Sequence, residues 1–159
     1  NPDDASDVRN YINKNNFRKV AIVSQTTMSV TGYKQLIDNI NKTSNNKFAE
    51  MQLSLKDMSM PFVFVDTICN PTKQRQSDTE EIAKKADVVI VIGGKNSSNS
   101  KELAAKSKEL GVETYFIQSV GQLEKEWFNG KENIGVTAGA STPDITINEV
   151  ADRIKEITK

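Results

Sequence analysis

No histidine occurs among the 159 residues, and there is a single cysteine, Cys69. The first absence excludes imidazole metal ligands and histidine acid–base chemistry within this chain. The second excludes an internal disulfide. Charge of either sign is not in excess, with 21 Lys and Arg against 21 Asp and Glu. No broad basic face is therefore expected to neutralise a nucleic-acid backbone, and nucleic acid is excluded as a partner. Long apolar runs are also missing. The longest, Val88 to Ile92, is far too short to cross a bilayer, and the first residues are polar and acidic rather than a signal sequence. The chain is read as cytoplasmic, with no membrane partner. Chemistry must rest on hydroxyls, amides, carboxylates, lysines or one thiol, or on groups from outside the chain.

What remains is an ordinary globular composition, 36% hydrophobic and 26% charged, long enough to bury one good core or two small ones. Short β-branched runs alternate with segments of helical periodicity, which points to βαβ units and a mainly parallel sheet. Strands are expected at Val20 to Ser24, Phe62 to Val65, Val88 to Ile92, Thr114 to Ile117 and Ile134 to Thr137. Their nearly uniform apolar character suits strands covered on both faces. Helices are expected at Val30 to Ile40, Gln74 to Lys85, Lys101 to Leu110, Val120 to Trp127 and Asp144 to Ile157. In the last, Ile147, Val150, Ala151, Ile154 and Ile157 recur at helical spacing and should face the sheet. Asn41 to Lys47 reads as a loop, and Met58 and Met60 as fillers of a core gap.

Three places share one design, an apolar strand followed by hydroxyl, amide or glycine residues and then a helix. They run from Ile22 to Ser29, Ile92 to Ser100 and Val136 to Asp144. A helix start carries unpaired N–H groups and partial positive charge, so such loops at the carboxyl edge of a parallel sheet suit anions. Neutral donors could hold a diphosphate without an arginine cluster, and Lys95 is the one basic residue in these loops. Ser, Thr and Asn are also the preferred helix caps. Asn99 with Glu102 resembles a capping box, and Thr142 before Pro143 resembles a cap with proline at the first helical position. Capping needs one such residue per helix, whereas Asn96 to Ser100 supplies five in succession. Cys69 presents a similar choice between a packed thiol and a reactive one. It stands between an expected strand and a helix start, where a thiol is acidified and suited to metal. One cysteine cannot by itself hold an iron–sulfur cluster.

Asp66 to Gln76, Gly93 to Ser100 and Gly135 to Asp144 resemble, in order and spacing, the motifs of the 4-hydroxy-3-methylbut-2-enyl diphosphate reductases, also called LytB or IspH. Ser24 to Ser29 resembles a fourth motif of that family. The resemblance runs nearly end to end and implies the carboxy-terminal portion of a three-lobed α/β protein around a [4Fe–4S] cluster held by three cysteines. It implies an incomplete middle lobe over residues 1–60 and a complete third αβα lobe over residues 61–159, whose last helix could pack on the middle lobe. Among these cysteines the chain holds the last, Cys69, which would ligate iron. Ser97, Ser98, Asn99 and Ser141 would bind the diphosphate. Thr26 would place the substrate hydroxyl and its proton network, with Gln25, Thr27 and Thr72 nearby.

The implied reaction of the complete protein is reductive dehydroxylation of the allylic diphosphate to isopentenyl and dimethylallyl diphosphate, with a ferredoxin or flavodoxin as electron donor. By the same resemblance the amino-terminal region of the protein is missing here, so the chain alone would hold no stable cluster and be inactive. The competing reading is a non-catalytic phosphate- or nucleotide-binding α/β module in which Cys69 is structural. The reductase reading requires Cys69 and the segments around Ser97 and Ser141 to converge on one rim of the α/β layers.

Overall fold

Five consecutive β-branched residues, Val88–Ile92, form strand β3, and every one is fully buried. That burial follows from position. In the computed structural model, which describes residues 5–15, 17, 20–42 and 62–159, β3 is the middle strand of a parallel sheet ordered β4-β3-β5, with β4 at Glu113–Ile117 and β5 at Ile134–Ala138. Val88 pairs with Glu113 on one side and Ile134 on the other. Alternate side chains of a strand point to opposite faces, and β3 divides accordingly. Val88, Ile90 and Ile92 pack with Val150 and Ile154 of helix α5 (Asp144–Ile157). Val89 and Val91 pack with Ala83 of α3 (Asn70–Ala83) and with Leu103 and Ala104 of α4 (Ser98–Glu109). The result is an αβα layer arrangement, as expected from the sequence.

This second unit spans Asn70–Lys159. The first, Asn1–Cys69, carries α1 (Ala5–Lys14), β1 (Val20–Val23), α2 (Val30–Lys42) and β2 (Phe62–Val65). Its two strands pair in parallel, Val20 with Phe62 through Val23 with Val65. Because β2 bonds to β1, it belongs with the first unit, which ends at Cys69. Tyr33, Ile37 and Ile40 of α2 form the core of the first unit with Ile68. In β1 only alternate residues are covered, and Val23 is 64% exposed. The expected cover on both faces therefore fails there.

Other expectations shift for local reasons. Helix α1 is an element that the strand-and-helix reading left out, although Val8, Tyr11 and Ile12 recur at helical spacing, with Asp7 in the first turn and Lys14 in the last. Asn41 and Lys42 continue α2 instead of opening a loop, while residues 43–61, including Met58 and Met60, lie outside the described residues. The single helix expected at Val120 to Trp127 is two 3₁₀ turns, Val120–Gln122 and Lys125–Phe128. Leu123 and Glu124 between them are extended. Val120, Leu123, Trp127 and Phe128 still reach the core, so spacing that serves one helix is met by two short turns. The second turn is pinned by Trp127, which stacks on Tyr115 of β4 at 3.9 Å between ring centroids.

At the amino edge of the sheet, the Asp87 carboxylate accepts the backbone N–H groups of Asn133 (2.8 Å) and Glu132 (3.0 Å). These two bonds, the first larger, hold its pKa below the ordinary aspartate value. The chain entering β5 is thereby tied to the chain entering β3.

Candidate functional site

The carboxyl edge of the second unit is sewn together by backbone bonds between strand ends. Gly93 N–H donates to Ile117 O and Gly139 N–H to Ile92 O, both at 2.9 Å. The Thr142 hydroxyl also donates to Ile92 O, at 3.0 Å. That bond corrects one expectation, since Thr142 spends its hydroxyl across the sheet instead of capping α5. The capping position of α5 is Pro143, which makes no side-chain bond.

Helix α4 starts at Ser98, three residues before the predicted start, and its cap is Ser97 rather than Asn99. The Ser97 hydroxyl accepts the N–H of Ser100 at 3.2 Å and the hydroxyl of Ser100 at 2.9 Å. The polar run after β3 is thus mostly the first helical turn, and the helix decides where each side chain goes. Ser98 is exposed. Asn99 is turned inward to 4% exposure, and neither its amide nitrogen nor its carbonyl oxygen finds a partner. Buried polar groups are almost always bonded, and leaving one unmet costs about 1–3 kcal/mol. An orphaned amide in the first turn of a helix stands beside N–H groups with partial positive charge, where water or an anion could partner it.

Ser141 is exposed in the turn after β5, and Gly139, two residues before it, stands close to Ser100 of this helix start. The two loops approach closely because of two glycines. A Cβ built on Gly93 would lie 2.1 Å from the Ser100 hydroxyl oxygen and 2.6 Å from its Cβ, and one on Gly139 would lie 2.0 Å from the same oxygen. Ser100 itself is fully buried. Around this edge, Lys95 N–H donates to the Gln118 side chain at 3.0 Å, which closes the loop on the β4 side. Arg75 of α3 donates to Ala138 O at 3.3 Å, at the end of β5.

In the first unit the loops after β1 and β2 also stand at one edge. Ser24 N–H donates to the Thr67 hydroxyl at 2.9 Å, and that hydroxyl donates back to Ser24 O. Cys69 N–H donates to Thr26 O at 3.1 Å, so the one thiol-bearing residue and Thr26 are joined through the backbone. Gln25 and Thr26 are exposed, and Thr27 is half-buried. Ser29 caps α2 by accepting Gly32 N–H at 3.1 Å. Cys69 is half-buried and directly precedes α3. Thr72, in the first turn of that helix, is 2% exposed.

The polar residues of these loops are legible in the sequence, but the part played by Ser100 is not. The SSNS run contained it, yet nothing in the linear order shows that two distant glycines make room for its hydroxyl.

A family model described as LytB protein matches residues 3–155. The 4-hydroxy-3-methylbut-2-enyl diphosphate reductase of Campylobacter concisus (strain 13826) is 42% identical over 140 residues, covering 88% of this chain and 46% of that protein. Its namesake in Aquifex aeolicus (strain VF5) is 40% identical over 139 residues, 87% of this chain and 43% of that protein. The chain thus spans less than half the length of the curated relatives it matches. Among solved structures, an (E)-4-hydroxy-3-methyl-but-2-enyl diphosphate reductase, described as the terminal enzyme of the non-mevalonate pathway, superposes with TM-score 0.57 at 37% identity, covering 92% of this chain and 47% of that one. The E-1-hydroxy-2-methyl-but-2-enyl-4-diphosphate reductase of Plasmodium falciparum superposes with TM-score 0.71 at 25% identity, covering 90% and 42%. With all but a few of its terminal residues inside the family model, this chain belongs to the LytB protein family.

Proposed function

We propose that the chain is part of a larger 4-hydroxy-3-methylbut-2-enyl diphosphate reductase and that its own contribution is to hold the substrate's diphosphate and to supply one thiolate. The observation that carries the diphosphate assignment is Asn99, buried at the start of α4 with both polar atoms unpartnered. Its amide would donate to a phosphate oxygen, as would the hydroxyls of Ser97, Ser98 and Ser141 and the N–H groups of the helix start. This set is neutral, and its strength lies in oriented donors, so binding should weaken less with salt than a lysine cluster would. Thr26 is assigned to the substrate hydroxyl and its proton network, with Gln25 and Thr27 beside it in sequence.

The proposed overall reaction removes the allylic hydroxyl as water, consuming two electrons and two protons and giving isopentenyl and dimethylallyl diphosphate. A ferredoxin or flavodoxin is the proposed donor, and the cytoplasm the proposed compartment. Among the described residues no helix is long and apolar enough to cross a membrane.

A [4Fe–4S] cluster does not fit this chain's residues alone. The chain offers one thiol where several ligands are needed, and among the described residues no three His, Cys, Asp or Glu side chains gather into a metal site. Cys69 is proposed as one ligand, with the remainder and the other substrate contacts supplied by the portion of the protein outside this chain. The chain by itself is therefore proposed to be inactive, and its residues act by binding and positioning. Holding the reacting end in register is a large part of catalysis in such a site.

The experiment is made in the complete reductase. Cys69→Ser is expected to lose most of the iron and at least about 100-fold in turnover, since even residues outside the first coordination shell cost up to that much. Iron content and anaerobic turnover both equal to the parent's would refute the assignment of Cys69.

A further inference from the structure

The Ser100 hydroxyl is buried beyond the reach of any ligand, yet it is placed with unusual restriction. It lies where a side chain on either Gly93 or Gly139 would collide with it, and it donates to Ser97 Oγ at 2.9 Å. The same Ser97 oxygen accepts the backbone N–H of Ser100 at 3.2 Å. A serine hydroxyl has two acceptor lone pairs and one hydrogen. With both lone pairs occupied, Ser97 is left with one capability, the donation of its own proton. Ser97 is half-buried at the start of α4, so its proton can be directed to a ligand there.

We infer that Ser100 is a positioning residue that commits the Ser97 hydroxyl to donation, and so tunes this edge toward ligands that only accept hydrogen bonds, such as the oxygens of a diphosphate. The inference rests on the diphosphate reading above and adds to it the device by which one of the donors is set. A lone serine cap accepts from the helix and keeps a free lone pair, so its proton can rotate among several directions. Filling that lone pair from Ser100 removes the alternative. Gly93 and Gly139 are the residues whose missing side chains make the arrangement possible.

The test is a double-mutant cycle read by calorimetric titration of the chain with pyrophosphate. Ser100→Ala keeps the backbone N–H that Ser97 caps and removes only the hydroxyl. It is expected to weaken pyrophosphate binding about 2- to 10-fold in the parent. In a Ser97→Ala background it is expected to change nothing beyond about twofold, the limit within which independent sites add. A purely structural role for Ser100 would instead weaken binding equally in both backgrounds. Ser100→Gly repeats the cycle with still more room, which covers the case that Ser100→Ala folds poorly. Binding by the parent with additive losses overturns the inference and leaves the diphosphate reading standing. No binding by the parent overturns the diphosphate reading and the inference with it.

Discussion

Asn99→Leu makes the unliganded chain more stable and its hold on pyrophosphate much weaker. The replacement keeps the branched shape, with methyl groups in place of the amide oxygen and nitrogen, and is a better helix former. It removes two buried polar atoms that have no partner, each of which costs about 1–3 kcal/mol when left unmet. The expected gain is therefore about 1–3 kcal/mol, equivalent to several degrees in the unfolding midpoint for a chain of this size. The expected loss in binding is about 10- to 100-fold, the worth of one or two hydrogen bonds to a charged oxygen. The two effects have opposite signs because the side chain is badly satisfied until an anion arrives. Thermal unfolding with and without pyrophosphate measures both. A variant that is less stable than the parent, or that is stabilised by pyrophosphate to the parent's extent, would show that Asn99 is an ordinary packed residue.

Gly93→Ala is expected to destabilise the second unit strongly. Its Cβ would meet the Ser100 side chain at 2.1 and 2.6 Å, and Ser100 is fully buried among the strand ends. Overpacking of this kind costs about 1–3 kcal/mol and at times more. Because the Ser100 Cβ is itself too close, Ser100→Ala does not rescue Gly93→Ala, whereas Ser100→Gly should restore most of the loss. Gly139→Ala behaves differently. There the Ser100 Cβ stands at 3.3 Å and only the hydroxyl oxygen collides, so Ser100→Ala is expected to rescue it. Equal responses of the two glycine variants to Ser100→Ala, read from denaturant unfolding, would contradict the geometry described here.

The parts of the fold that were legible in the sequence are those set by local pattern. Val88 to Ile92 could be nothing but a buried strand, and the apolar spacing of Ile147, Val150, Ile154 and Ile157 placed α5 on the sheet. Pattern alone misjudged Val120 to Trp127, because two 3₁₀ turns with an extended break present the same apolar residues as one helix. It also misjudged the helix starts. Pro71 is tolerated in a first turn, so α3 begins at Asn70 rather than Gln74, and Ser97 displaces Asn99 as the cap of α4.

At the candidate site the residue types and their order were readable, but their division of labour was not. Linear order could not show that Ser98 faces outward while Asn99, one residue on, is buried without partners. Nor could it show that Ser100 acts on Ser97 from beneath two glycines, since residues 93, 100 and 139 meet only once the sheet has formed. A hydroxyl spent on structure and one available for a ligand look alike in sequence. Thr142 proved to be the former, donating to Ile92 O.

The most direct measurement is the calorimetric affinity of the chain for pyrophosphate beside that of Ser97→Ala and Ser141→Ala, two residues on different loops at the carboxyl edge of the second unit. Binding by the parent, weakened about 10-fold or more in each variant, is the result expected if this edge grips a diphosphate. Affinities that match the parent's in both variants would mean that the polar residues at this edge only cap helices and fill turns.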